Sequence, residues 1–285
     1  MGGHARPPSV ARPLLIECGG RSLSEDEVAS LLRDRVMVLI PAYNERPSVA
    51  DVIERVPAVA GGVETVVVLV DDGSRDGTAT VAGAAGAVVV RQARRRGGGA
   101  ALRTGYRLAS AAEASVVVTL DADGQHQPEE MARLVAPVLE GRAGLACGSR
   151  ILGTAEREGH ARAVGIPLFS RLLSILLRQP ITDCSNSFRA MRGDLPGALD
   201  LREDQFHAAE LLVEAATRGT VVVEVPVTVR ARAHGTTGKP PALRYGAGFT
   251  KAIAAAWLRS ARRRSRRTDR TPLAVERAAP ERPRG

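Results

Sequence analysis

Aromatic residues are scarce in this chain: four Phe, three Tyr and one Trp make up 3% of 285 residues. Val, Ala and Leu must fill the interior, and a 44% hydrophobic content is enough for one sizeable core or a core with a small subdomain. Cysteine is sparse too. Cys18, Cys147 and Cys184 are odd in number and scattered, which excludes a disulfide framework or a zinc spacing and suits a reducing cytosol. No apolar run approaches the ~20 residues of a membrane span, and Leu14-Leu15-Ile16 is too short for a signal-peptide core. The expectation is a cytoplasmic protein, free or peripheral on the membrane face. Acids are missing from one stretch in particular. Arg259, Arg262, Arg263, Arg264, Arg266 and Arg267 carry six of the formal net +9, leaving +3 for the rest. The basicity is a tail rather than a broad patch, which makes nucleic acid an unlikely partner.

Between the termini the pattern is a repeated strand and helix. The continuous β-branched run at 116–120 reads as a strand buried on both faces, and 36–40, 63–70, 87–91 and 145–149 read as further strands. Helical patterns at 48–56, 76–85, 99–112 and 128–140 alternate with them, the last opening on Pro128. Ser24-Glu25-Asp26-Glu27 reads as a capping box for a short helix before them. This alternation predicts an α/β fold: a doubly wound, mostly parallel sheet with helices on both faces. After Arg150 the rhythm changes. A polar loop at 153–161, an apolar stretch at 163–178, a helix at 204–218, a strand at 220–229 and a last helix at 243–259 follow. Pro226 inside that strand predicts an edge or a bulge. The expected organisation is a disordered 1–22, an α/β half at 23–150, a second half at 151–242, an apolar helix with its basic run at 243–267 and a disordered 268–285.

The chemistry gathers at strand ends. The run 116–120 stops at Asp121-Ala122-Asp123-Gly124. Two carboxylates there can converge on one hard cation of the Mg²⁺ or Mn²⁺ kind, which keeps waters and shares a substrate's phosphates. A calcium loop does not fit, because it needs Gly and Glu where His126 and Ala132 stand. Solvated turn formers remain the bland reading of any lone pair of this kind. Two other strands end comparably, in Pro41-Ala42-Tyr43-Asn44-Glu45 and in Asp71-Asp72-Gly73-Ser74. Asp71 or Asp72 could accept from a nucleobase edge or ribose hydroxyls, and Ser74 or Asp76 could cap the next helix.

Together, Pro41 to Glu45, Asp71 to Thr78 and Asp121 to Pro128 resemble family-two glycosyltransferases of the GT-A fold. Within these the chain is most similar to dolichyl- and polyprenyl-phosphate sugar transferases. The likeness continues through Gly148-Ser149-Arg150, Asp183 to Arg189, and Gln205-Phe206 with Glu210. It implies a nucleoside-diphosphate sugar donor, a divalent cation and inversion in one displacement. It puts nucleotide contacts at Pro41, Tyr43, Glu45, Asp71, Asp72 and Gly73. It puts metal and donor diphosphate at Asp121, Asp123 and Gln125, and phosphate-binding arginines at Arg150 and Arg189. Asp123, Arg150 and Arg189 are the candidates for the catalytic step. Such enzymes usually carry a Gly-Lys-Gly where this chain has Gly97-Gly98-Gly99; Gly98 replaces the lysine, so a charge is lost there or supplied by Arg94, Arg95 and Arg96.

The acceptor decides whether a base is needed. A lipid phosphate is already anionic, whereas a hydroxyl wants a carboxylate base, for which Asp183, Glu210 and Asp123 are all conceivable. Arginines around the site, with Arg202 and Lys239, fit a polyprenyl phosphate better, and mannose is the favoured sugar. A soluble hydroxyl acceptor on the same fold is the alternative; a nucleic-acid binder working through the arginine tail is another. Tyr245, Phe249, Ile253 and Trp257 followed by arginines could dock on an anionic membrane or pack on the catalytic domain. Ile166, Leu168, Phe169, Leu172 and their neighbours pose the same choice.

Overall fold

A computed structural model describes residues 14–156, 160–232 and 242–268. Among them one sheet of ten strands carries the fold. Its centre is built from β3 (Val36–Ala42), β5 (Val63–Asp71), β6 (Val88–Arg91) and β7 (Val116–Thr119). These pair in parallel in the order β7-β3-β5-β6, with Val36 beside both Thr65 and Val116. Their near-continuous Val, Leu and Ile runs follow from burial on both faces. Val36, Val38 and Ile40 pack with α2 (Arg46–Glu54), α3 (Thr78–Ala84) and α5 (Met131–Leu139). Met37 and Leu39 point the other way, against α1 (Glu25–Leu32), α4 (Gly98–Ala111), α8 (His207–Thr217) and α9 (Ala242–Thr268). Gly105 makes the closest of these approaches possible, since a Cβ there would lie 2.2 Å from a Leu39 methyl. The capping box at α1 is formed: Glu27 N–H donates to Ser24 Oγ, and Ser24 N–H donates to Glu27 Oε2.

Several boundaries differ from expectation. Residues from Leu14 on are ordered rather than disordered: β1 (Leu15–Cys18) adds antiparallel to β6 and turns into β2 (Arg21–Ser22). Three apolar residues suffice because Ile16 is buried against the core. A two-residue strand, β4 (Val59–Ala60), pairs off the main path with β5. The helix expected from Pro128 begins as a 3-10 turn, Pro128–Glu130, before α5. β8 (Leu145–Ala155) runs into the first three residues of the expected 153–161 loop, and position 150 falls inside it, so the two proposed halves share a strand. β9 (Arg189–Arg192) has no counterpart in the sequence reading; it inserts antiparallel between β7 and β8. β10 (Val222–Val229) pairs with β8 at the sheet's end, and its register shifts between Pro226 and Thr228, so Pro226 marks both edge and bulge. A one-turn helix, α7 (Leu195–Ala198), follows β9.

The long α6 (His160–Leu177) buries Leu173 and leaves Leu168, Leu172 and Ile175 in solvent at 64%, 48% and 70% exposure. On α9, Phe249 and Ile253 are buried, and Phe249 stacks on Phe169 at 4.9 Å. The face read as membrane-docking is therefore partly core. Arg259 and Arg263 turn inward as well, onto Glu210 and onto Glu214 and Asp200. The tail beyond Thr268 lies outside the described residues. No helix among the described residues is long and apolar enough to cross a membrane.

Candidate active site

Three neighbouring parallel strands deliver the three motifs to one rim. Ala42 pairs with Asp71, Leu39 with Thr119, and Leu120 N–H donates to Leu39 O, so the ends of β3, β5 and β7 lie side by side. Open α/β sheets bind ligands at this end.

Acids dominate the rim, and one cation answers them. Arg232, just past β10, places Nη2 2.8 Å from Glu45 Oε1 and 3.0 Å from Asp123 Oδ2. Burial raises the Glu45 pKa; Arg232 opposes the rise, and the charges of Asp123 and Asp121 add to it. Glu45, Asp121 and Asp123 thus share one electrostatic neighbourhood. Asp121 accepts from Ser187 Oγ and lies 3.9 Å from His126 Nδ1. His126 is buried, its Nδ1 has no hydrogen-bond partner, and its ring packs on Phe188. Among the described residues no three His, Cys, Asp or Glu side chains converge to hold a metal alone. Two carboxylates with the remaining positions left to water and phosphate are what Mg²⁺ ordinarily takes, and Asp121 and Asp123 fit that donor set. Gln125 belongs to the same loop. Its Nε2 donates to Arg230 O at 3.0 Å, and its carbonyl accepts from Arg230 N–H at 2.7 Å, which ties the acid loop to the strand end carrying Arg232.

The end of β5 is laced by its own backbone. Asp72 is buried and accepts from Arg96 N–H and Gly97 N–H, both at 2.7 Å. Its oxygens hold the 94–97 loop. Asp71 accepts from Ser74 N–H at 3.0 Å within its own turn. α3 opens at Gly77 without a side-chain cap from either Ser74 or Asp76; Asp76 accepts from Thr78 N–H within the preceding turn, and Ser74 Oγ accepts from Asn44 N–H. Gly73, at φ +77°, lets that turn lie under the 94–95 backbone; a Cβ there would sit 2.9 Å from Arg95 N. Arg95 lies over the Tyr43 ring at 4.1 Å, a cation–π geometry that brings a positive charge to this side. Gly99 is approached by the chain itself: its N–H donates to Asp204 O, and a Cβ would fall 2.0 Å from Glu203 O.

Beyond β7, Arg150 Nε bonds Asp183 Oδ2 at 2.7 Å, and the two side chains are 12% and 0% exposed. Asp183 also accepts from Ser185. Glu210 accepts the N–H groups of Arg202 and Glu203, both at 2.8 Å, and pairs with Arg259. Arg189 is 2% exposed, and its guanidinium donates to the carbonyls of Asn186, Cys184 and Ala208. It fastens β9 to α8; an arginine opening a short strand reads from sequence as a surface charge. Arg202 is exposed and paired with Asp200. Lys239 lies outside the described residues. Pro41, Tyr106, Thr119, Asp121, Ser187 and Arg189 line a cavity of about 10 Å³ below the rim, room for a water and no more. A groove of about 620 Å³ runs along α6, with Ile151, Ile175, Ile181, Arg171, Arg178 and Thr182 on its walls.

Sequence reasoning missed Arg232 and left Ser187 and His126 without roles. Arg232 carries no local signal, because its partners come from two distant loops.

Known proteins place this architecture. Among curated proteins, the Mycolicibacterium smegmatis polyprenol monophosphomannose synthase is 32% identical over 74% of this chain and 83% of its own length. The Haloferax volcanii dolichyl-phosphate hexose transferase is 30% identical over 77% and 92%. Among solved structures, Mycobacterium tuberculosis glucosyl-3-phosphoglycerate synthase, in complex with Mn²⁺, UDP-glucose and phosphoglyceric acid, superposes with a TM-score of 0.61 at 25% identity, covering 84% of each chain. These neighbours share the GT-A fold. Residues 37–195 match the Glycosyl transferase family 2 pattern, and with relatives at this identity and coverage the chain belongs to glycosyl transferase family 2, a family of sugar-transferring enzymes.

Proposed function

We propose that this enzyme moves a sugar from a nucleoside-diphosphate donor to a polyprenyl phosphate, in one inverting displacement. One observation carries the choice of acceptor. The three carboxylates that could serve as a base are all engaged: Asp183 by Arg150, Glu210 by Arg259 and two amides, Asp123 by Arg232. A hydroxyl acceptor needs such a base; an anionic phosphate does not. The M. smegmatis and H. volcanii relatives, named for polyprenyl and dolichyl phosphate, support the reading, and the mannose in the first name supports that sugar.

An acceptor phosphate oxygen attacks the anomeric carbon, the bond to the donor diphosphate breaks, and the nucleoside diphosphate leaves with the electron pair. Asp121 and Asp123 would hold Mg²⁺ or Mn²⁺, which stabilises the leaving diphosphate as a Lewis acid. Arg232, at hydrogen-bond distance from Asp123, supplies a guanidinium to the same charge. Arg150, held by Asp183 and reaching Ser185 Oγ, is the arginine that would meet the acceptor phosphate. The groove along α6, with apolar walls and exposed Arg171 and Arg178, suits an isoprenoid chain at a membrane surface.

The test is labelled GDP-mannose and UDP-glucose incubated with polyprenyl phosphate in detergent with Mn²⁺. The expected product is organic-extractable and labile to mild acid. Label that enters phosphoglycerate or a free hydroxyl acceptor, and never the lipid, refutes the proposed acceptor.

A further inference from the structure

The C-terminal helix reaches the donor rim through a relay of contacts. Arg259 on α9 pairs with Glu210 Oε1. Glu210 is fully buried, and its Oε2 takes the two amides of Arg202 and Glu203. The next carbonyls face α4: Glu203 O accepts from Arg103 at 3.0 Å, and Asp204 O accepts from Gly99 N–H at 2.9 Å. The contact at Gly99 leaves no room even for a methyl group. Two residues earlier, Gly97 N–H is held by Asp72, and Arg95 covers Tyr43.

A buried ion pair is a weak stabilising device, since an apolar pair of the same volume does as well. Its use here is geometric. One carboxylate oxygen holding two successive amides fixes the backbone at 202–203, and Arg259 is the counter-charge to this buried carboxylate. We infer that Arg259 and Glu210 are positioning residues for donor binding: α9 is a clasp that, through 202–204, sets the N-terminus of α4 and the 94–97 loop against the nucleotide. The inference rests on the nucleotide-sugar reading above. Arg263 serves as an internal control, because it joins the same helix to Glu214 and Asp200 without touching the amides of 202 and 203.

The experiment is calorimetric titration of the full chain with GDP and with UDP at saturating Mn²⁺, alongside thermal melts. The Kd of the nucleotide that wild type binds should rise on the order of tenfold in Arg259→Ala, the size usual for residues in one hydrogen-bond network. Arg259→Lys should restore most of the affinity, and Arg263→Ala should lower the melting temperature with Kd unchanged. Should Arg259→Ala fail to fold, Glu210→Gln removes only the charge and should show the same loss. An unchanged Kd in Arg259→Ala overturns the inference, as does an equal loss in Arg263→Ala. If wild type binds neither nucleotide, the donor reading falls first and takes the inference with it.

Discussion

Removing Arg232 should move two affinities in opposite directions. Its guanidinium lies 2.8 Å from Glu45 and 3.0 Å from Asp123, and the three side chains are 25%, 19% and 11% exposed. A charge pair at ~3 Å is worth about 1.4 kcal/mol in water and about 5.5 kcal/mol at an effective dielectric of 20. Partial exposure and the cost of stripping water from the ions bring the net to roughly 1–2 kcal/mol per pair. A divalent cation arriving at Asp121 and Asp123 must give up the Asp123 pair. Arg232→Ala should therefore bind Mn²⁺ about tenfold more tightly when no nucleotide is present. A nucleoside diphosphate added at saturating Mn²⁺ should bind more weakly by a similar factor, having lost a charged donor. Paramagnetic titration of Mn²⁺ followed by calorimetry with GDP and UDP reads both numbers. Mn²⁺ bound no more tightly than in wild type would mean that Arg232 and the metal do not compete, and the assignment of Asp123 as a ligand would fail.

Asp123→Asn should lower turnover on the order of a hundredfold or more and make the remainder insensitive to Mn²⁺, as measured in the lipid-transfer assay. Asp72→Ala frees the amides of Arg96 and Gly97, which should cost about 2–3 kcal/mol in urea unfolding and raise the donor KM. Gly99→Ala drives a methyl into Glu203 O and should destabilise by about 1–3 kcal/mol, visible as a lower melting temperature. Burial raises the Glu210 pKa above its ordinary 4.5, against the pull of the Glu203 and Arg202 amides and Arg259. The native state then binds a proton that the unfolded chain releases, so this group's contribution to stability falls as pH climbs from 4.5 to the native value. The unfolding free energy of wild type minus that of Glu210→Gln should decline over that window, and a rising difference would contradict the assignment.

The central strands were legible because parallel strands buried on both faces leave uninterrupted β-branched runs, and because Asp and Gly punctuate their ends. The three motif-bearing loops could be set on one rim for the same reason. β9 escaped notice: Arg-Ala-Met-Arg over four residues looks like surface, and only pairing with β7 and β8 carries Arg189 inside. β1 was hidden by the Pro, Gly and Arg around it. Arg232 was out of reach altogether, since its partners lie 109 and 187 residues away in sequence and only the closed sheet brings them together. The arginine run was read as one tail, yet Arg259 and Arg263, four apart on a helix, face acids on its inner side. Composition counts charges without assigning them to faces.

The bonds joining Gln125 to Arg230 carry a mechanical consequence. They bracket the isolated bridge between His126 and Val229, so the acid loop is stitched to an edge strand from which β8 and β9 separate it in the sheet. The exit of β10 cannot slide without dragging the turn that bears Asp123. An incoming ligand meets Asp123 and Arg232 as one preassembled pair, Arg232 lying two residues from a fixed anchor.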